Sequence, residues 1–301
     1  MTRSGAPPKA ARTPAAVDWR AIDWSAHTHN AYVDGRRVRY VDYGSPEGTP
    51  VLLIHGIGGC WQWWLEVLPL VGLYRRVIAV DMPGFGASQP LPPGSEMGAY
   101  ADVLAAVLKQ LGIEHAVVVG HSLGGVVALL YAARHPKRTA SVALVCGGGI
   151  ELGRGRLAVI VAAFRAFNAV FTLPGVARAC QRRPRLRNQL FGGGVVDVRA
   201  IAPDLLMALV PALSAPGFLD ALRSGAAAAN ELDPAAIKAP MLIIWGEKDP
   251  ILPVTQARAI AARIPGARLE IMRSVGHCPM LERPAALASL LDDFATASSV
   301  S

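Results

Sequence analysis

The stretch Val117-Val118-Val119-Gly120-His121-Ser122-Leu123-Gly124-Gly125-Val126 decides the fold, because it sets one serine among glycines where a strand gives way to a helix. The β-branched run before Gly120 reads as a buried parallel strand, and Val126 to Arg134 reads as the helix that follows. The turn between them is so tight that the serine must take a strained conformation, and Gly120 and Gly124 remove the Cβ atoms that would collide there. Ser122 is thereby held clear of both elements, as a nucleophile should be. Leu123 opens the helix, so its amide points outward with the positive end of the dipole and can stabilise an oxyanion.

A serine hydroxyl is a poor nucleophile unless an imidazole takes its proton, and the imidazole needs a carboxylate to fix its tautomer and stabilise its cation. Moving outward, the strand-like run Met241 to Trp245 ends in Gly246-Glu247-Lys248-Asp249-Pro250, which places an acid on the loop beyond a strand's carboxyl end. Asp249 is the expected orienting acid; Glu247 is its competitor, and capping of the helix near Thr255 is its duller reading. The next strand-like segment, Ala267 to Met272, leads through Arg273-Ser274-Val275-Gly276 to His277, the expected base. The other histidines are worse placed: His121 adjoins the serine, His55 sits in a glycine-rich loop, His27 and His29 lie in a leading hairpin, His115 precedes a strand and His135 ends a helix. Cys278 has no second histidine to activate it and reads as a small pocket-lining residue.

Further out, parallel strands near 51–54, 76–81, 116–120, 140–146, 241–245 and 267–272 alternate with helical runs such as Ala99 to Leu111 and Val254 to Ile264. Asn30 to Tyr43 reads as a hairpin turning at Asp34-Gly35. The pattern is that of a doubly wound α/β sheet, in which loops after successive parallel strands converge at one edge. Between Gly147 and about Ala239 the alternation stops, and helical segments are broken at Pro174, Pro184, Gly192 to Gly194, Pro203, Pro211 and Pro216. The expected organisation is a disordered segment over 1–17, a first part of the core over 18–149, a helical cap over 150–235 and a second part of the core over 236–301.

Two further strings complete a resemblance: His55-Gly56-Ile57-Gly58-Gly59 after Val51 to Ile54, and Asp81-Met82-Pro83-Gly84-Phe85-Gly86-Ala87-Ser88 after Arg76 to Val80. With the order Ser122, Asp249, His277, the chain from about Tyr32 onward resembles an α/β-hydrolase fold protein of the small, cap-bearing bacterial type. The resemblance implies a mostly parallel central sheet flanked by helices with an inserted helical cap. It also implies that the His-Gly loop supplies a second oxyanion donor, assigned to the Ile57 amide with Gly58 as the fallback, while the Asp81 loop is a structural turn.

The expected activity is that of a carboxylic ester hydrolase, cleaving an ester or lactone through an acyl-enzyme on Ser122, His277 and Asp249. Among relatives of the same fold, epoxide hydrolases and haloalkane dehalogenases attack with aspartate, and the 150–240 region has no tyrosine to protonate an epoxide. Carbon–carbon bond hydrolases of ring-cleavage products use serine but generally carry tryptophan after the histidine, where this chain has Cys278. That reading stays as an alternative, beside an acyl transferase or cyclase and a non-catalytic ligand-binding protein. One of Trp61, Trp63 and Trp64, which follow the His-Gly loop, is expected to line the pocket while the others pack against the sheet; with Trp61 as the choice, Gly58, Trp61, Phe164, Phe167 and Cys278 are the expected pocket residues. No metal or organic cofactor is implied, and the expected partner is a small acyl substrate.

At 301 residues and 52% hydrophobic content the chain can bury one large core. Its first residues lack the apolar run of a secretory signal, and four cysteines (Cys60, Cys146, Cys180, Cys278) show neither metal spacing nor a disulfide framework, so a cytoplasmic location is expected. The net charge of +8 gathers in nine arginines from Arg154 to Arg199, opposed between 150 and 200 only by Glu151 and Asp197. A solvated basic face explains them; attraction of an anionic substrate, an acyl carrier or a membrane surface is the sharper alternative. Arg165 and Asn168 interrupt the apolar Leu157 to Leu173, which argues against a membrane span and leaves peripheral contact as the membrane reading. Nothing in the sequence resembles a nucleic-acid module, and oligomeric state is not encoded legibly.

Overall fold

Alternate side chains of each parallel strand feed two separate cores. Leu52 and Ile54, Val118, Leu144 and Ile243 enter one, and Val51 and Leu53, Val117 and Val119, Val145 and Ile244 the other, as a period of two demands of a sheet covered on both faces. In the computed structural model, which describes residues 17–148, 154–233 and 236–298, these strands belong to one eight-stranded sheet. Of the expected disordered segment over 1–17, residues 1–16 lie outside the described residues, as do the expected cap bounds at 150 and 235, Glu151, and the side chains of Arg154, Arg156, Leu157 and Arg187.

The strands are β1 (Thr28–Val33), β2 (Arg36–Gly44), β3 (Val51–Ile54), β4 (Arg76–Val80), β5 (Ala116–His121), β6 (Thr139–Val145), β7 (Met241–Gly246) and β8 (Arg268–Met272). Their order across the sheet is β1-β2-β4-β3-β5-β6-β7-β8. The β1–β2 hairpin turns through Asp34 and Gly35 at φ 50° and 74°, the two left-handed positions that a tight hairpin needs. β2 pairs antiparallel with β4, and every pairing from β4 to β8 is parallel. The chain winds from β3 to β4 on one side and returns to β5 on the other, so the switch point lies between β3 and β5. A ligand crevice belongs at that place, beyond the strands' carboxyl ends.

The helices Met97–Gln110, Leu123–Arg134 and Val254–Arg263 cover one face, and Leu68–Gly72 and Pro284–Ser298 cover the other. Between β6 and β7 the described chain is helical: Arg154–Thr172, Val176–Arg182, Pro184–Phe191, Pro203–Leu209 and Phe218–Glu231. The last of these packs back on the core through Phe218, Ala221 and Leu222, and the Gly217 amide donates to the Gly84 carbonyl at 2.9 Å. The inserted segment is therefore tied at its far end to the loop that follows β4.

Candidate active site

β5 delivers Ser122 at the switch point with φ 52° and ψ −118°, a left-handed conformation that costs a serine on the order of 1–3 kcal/mol. Hydrogen bonds hold it there. The Ser122 amide donates to the Val145 carbonyl of β6 at 3.1 Å, and the Ser122 carbonyl accepts from the amides of Gly125 and Gly148 at 2.9 and 3.0 Å. A Cβ on Gly120 would strike the Gly124 carbonyl, so only glycine lets the strand and helix meet so closely.

The loop after β7 brings Asp249 to His277. His277 Nδ1 and Asp249 Oδ2 lie 2.7 Å apart, and both side chains are buried. An ionised carboxylate only accepts, so the proton sits on Nδ1 and Nε2 carries the free lone pair. Asp249 Oδ1 in turn accepts from the amides of Ile251 and Leu252 at 2.9 and 2.8 Å, which fixes the carboxylate before any charge forms on the ring. The Ser122 hydroxyl donates to none of the described residues; it and His277 line the same cavity.

Two other histidines are struts. His121 Nε2 meets the His277 carbonyl at 2.9 Å, and burial first, then the neighbouring His277 ring, hold its pKa well below the ordinary imidazole value. It is neutral and donates from Nε2 to the His277 backbone. His55 accepts the Met82 amide at Nε2, 3.0 Å away, and donates from Nδ1 to the Gly56 carbonyl at 2.7 Å. Burial lowers its pKa to about 4. Asp81 accepts from the amides of Trp61 and Ala87, each at 2.8 Å, while burial raises its pKa to about 6. Both groups brace the loops after β3 and β4.

The cavity holds about 650 Å³ and carries Ser122 and His277 on its wall. The core contributes Ile57, Trp63, His121, Pro250, Ile251, Cys278 and Leu281; the insertion contributes Val159, Ile160, Phe164, Phe167, Phe191, Gly194, Val195, Ile201, Leu206 and Leu213, among others. No described lining residue carries a carboxylate, ammonium or guanidinium group. The amides of Ile57 and Leu123 have no acceptor among the described residues, and Leu123 turns its side chain against Gly225. Cys146 Sγ comes within 4.8 Å of the Asp249 and His277 ligand atoms, the one such cluster among the described residues. Burial raises the Cys146 thiol far above its ordinary value, and the Asp249–His277 bond already occupies the other two groups. That donor set suits a hydrogen-bonded pair rather than an ion.

The expected site residues are thus sorted. Ser122, His277, Ile57, Phe164, Phe167 and Cys278 share the cavity, and Asp249 lies behind His277. Trp61 and Gly58 do not line it. Trp61 is buried against Trp24, their rings 5.6 Å apart, and Gly58 lies beneath Phe218, whose Cε2 is 3.1 Å from the position a Cβ would take. The tryptophan on the wall is Trp63, its ring stacked 5.9 Å from His121. In the turn Trp61–Trp64 successive residues rotate by about a third of a turn, so positions two apart face different ways, and the sequence offers no signal for which one faces in.

A strained serine after a parallel strand, with an Asp-His pair from the loops after later strands, defines the serine-type α/β class of hydrolases. The family model described as "alpha/beta hydrolase fold" matches residues 49–284, and the chain belongs to that family. It is 31% identical over 262 residues to a dihydrolipoyllysine-residue acetyltransferase component of an acetoin cleaving system from Pseudomonas putida, covering 84% of this chain and 65% of that relative. The chain therefore spans about two thirds of that protein's length. It is 31% identical over 269 residues to a 2-hydroxymuconate semialdehyde hydrolase from Pseudomonas sp. (strain CF600), covering 86% of this chain and 90% of the relative. The crystal structure of a bacterial membrane phospholipase A superposes with a TM-score of 0.73 at 27% identity, covering 90% of this chain and 86% of that one.

Proposed function

We propose that the chain is a serine hydrolase cleaving an ester or lactone of a neutral, mainly apolar small molecule through an acyl-enzyme. The observation that carries this reading is the cavity itself: a nucleophile-bearing wall, an imidazole on the same wall, and an apolar lining without a charged side chain among the described residues. His277 Nε2 takes the Ser122 proton as Oγ attacks the carbonyl carbon. Asp249, already held by two amides, stabilises the imidazolium. The tetrahedral oxyanion takes the amides of Leu123 and Ile57, each such donor contributing about 3 kcal/mol to lowering the barrier. The imidazolium then protonates the departing alcohol, and water activated by the same nitrogen releases the acid and restores Ser122.

The similarity to the 2-hydroxymuconate semialdehyde hydrolase supports a second reading, cleavage of a carbon–carbon bond by the same residues. A muconate substrate is an anion, however, and burying it without a cation or a set of donors is costly. The apolar lining therefore favours the ester. The four cysteines are all buried and none is joined in a disulfide among the described residues, which supports a reducing compartment. No single described helix is long and apolar enough to cross a membrane.

A panel of p-nitrophenyl esters, lactones and a vinylogous diketone acid tests the reading. Turnover of neutral esters or lactones, lost in Ser122→Ala, is expected. Turnover of the diketone acid alone moves the carbon–carbon reading ahead, and capture of the acyl group by an added amine in preference to water marks a transferase.

A further inference from the structure

One carboxylate joins the inserted segment to the loop that carries the base. Glu282 ends the short helix Pro279–Glu282 and is half-buried. Its Oε1 accepts the amide of Gly276 at 2.8 Å, and its Oε2 accepts the amide of Val196 at 2.9 Å. Beside them the His277 amide donates to the Gly194 carbonyl at 2.7 Å. Three hydrogen bonds thus bind residues 194–196 of the insertion to residues 276–277 of the core.

The fit is close. A Cβ on Gly276 would lie 2.9 Å from the Gly194 oxygen and 3.1 Å from Val195 Cα, so the two backbones approach this near only with glycine at 276. Gly194 and Val195 line the cavity together with His277 and Cys278. Residues 192–196 lie in turns and bends, and the run Gly192-Gly193-Gly194 gives the segment little stiffness of its own. Its place on the cavity wall is set by what it is bonded to.

We propose that Glu282 is a positioning residue that docks segment 194–196 beside His277 and so sets the acyl length the cavity accepts. The proposal rests on the reading of Ser122 and His277 as a hydrolytic centre. An ionised carboxylate offers two acceptor oxygens and no donor, which is what two converging amides require. Glutamine would set an NH₂ against one of them, and aspartate is a methylene short. The Asp249–His277 pair is anchored separately by Ile251 and Leu252, so releasing Glu282 loosens the wall and leaves the pair intact.

Glu282→Gln tests this, with Val196→Pro as the second variant, because proline deletes only the amide on the insertion side. In both, kcat on p-nitrophenyl acetate should fall by less than about threefold, while KM for p-nitrophenyl decanoate rises about tenfold or more, the loss expected of a charged hydrogen bond. Hydrogen exchange reads the contact without turnover. In Glu282→Gln the amides of Val196 and Gly276 should exchange at least about tenfold faster at unchanged Tm; in Val196→Pro the Gly276 amide should stay protected. Unchanged exchange overturns the docking role. Faster exchange with unchanged KM for the long ester overturns the length role, as does an equal fall in kcat for both esters at constant KM. A wild-type protein that cleaves no ester but shows the expected exchange pattern would contradict the hydrolase reading and leave the docking contact standing.

Discussion

The sheet core and the inserted segment are built to different standards of definition. In the core each candidate reactive group is fixed by more than one bond: Ser122 by three backbone bonds, Asp249 by two amides and the base, His277 by Asp249, His121 and Gly194. In the insertion, the side chains facing the cavity offer apolar bulk, and the outer face carries exposed Arg165, Arg178, Arg182, Arg183 and Arg185, none in an ion pair among the described residues. Arg199, by contrast, pairs with Asp197. The difference supports the division proposed above, with the chemistry in the core and selection among substrates in a wall held by few directional contacts, Glu282 among them.

That division can be broken at several points. Asp249→Asn, which keeps the shape but favours the wrong histidine tautomer, should lower kcat about 10⁴-fold with KM little changed. Steady-state kinetics checks this, and a loss below tenfold would show that another acid orients the ring.

Histidine-linked acid sensitivity should also be a core property, since 154–233 contains no histidine. His55 has its pKa lowered from 6.5 to about 4, so the unfolded chain takes up the proton first as pH falls. Its stabilisation is full above pH 6.5 and is lost progressively towards pH 4, by about 3 kcal/mol in all. Asp81, raised from 3.8 to about 6, acts with the opposite sign over pH 6 to 4. Comparing wild type with His55→Gln isolates the first effect: in denaturant unfolding the wild type should lose stability relative to the variant between pH 6.5 and 4. Parallel curves would show that His55 is not the buried neutral strut described.

Smaller effects belong to the insertion. Phe164→Ala should raise KM for a long-chain ester about tenfold and change kcat on a short one by less than threefold, within the range of partial loss of one buried aromatic contact. An equal fall in kcat for both esters would place Phe164 in the chemistry. Reversing exposed charge with Arg182→Glu and Arg185→Glu should shift stability by no more than about 0.5 kcal/mol, measured by urea unfolding. Loss of anionic-liposome co-sedimentation in that double variant would instead assign these arginines a membrane role.

Much of the core was legible because its signals are local and redundant. The β-branched runs, the Asp34-Gly35 turn and the Gly120-x-Ser122-x-Gly124 elbow each follow from backbone sterics, and the loops fall in chain order at one sheet edge. The insertion gave helices and breaks but not their facing. The sequence narrows the pocket tryptophan to one of Trp61, Trp63 and Trp64 with Trp61 as the choice, and Trp63 lies there, because the orientation of that short turn depends on Trp24 and His121, residues distant in sequence. Gly58 was expected there too, and Phe218 of the insertion covers it. Glu282 was visible as a residue after the base, but its two amide partners come together only in three dimensions.

The most direct test of the central claim is the intact mass of the protein after treatment with a fluorophosphonate, wild type beside Ser122→Ala. The account predicts one adduct on the wild type and none on the variant. A folded wild type that takes no adduct, or a variant that takes the same one, would contradict an activated serine at position 122.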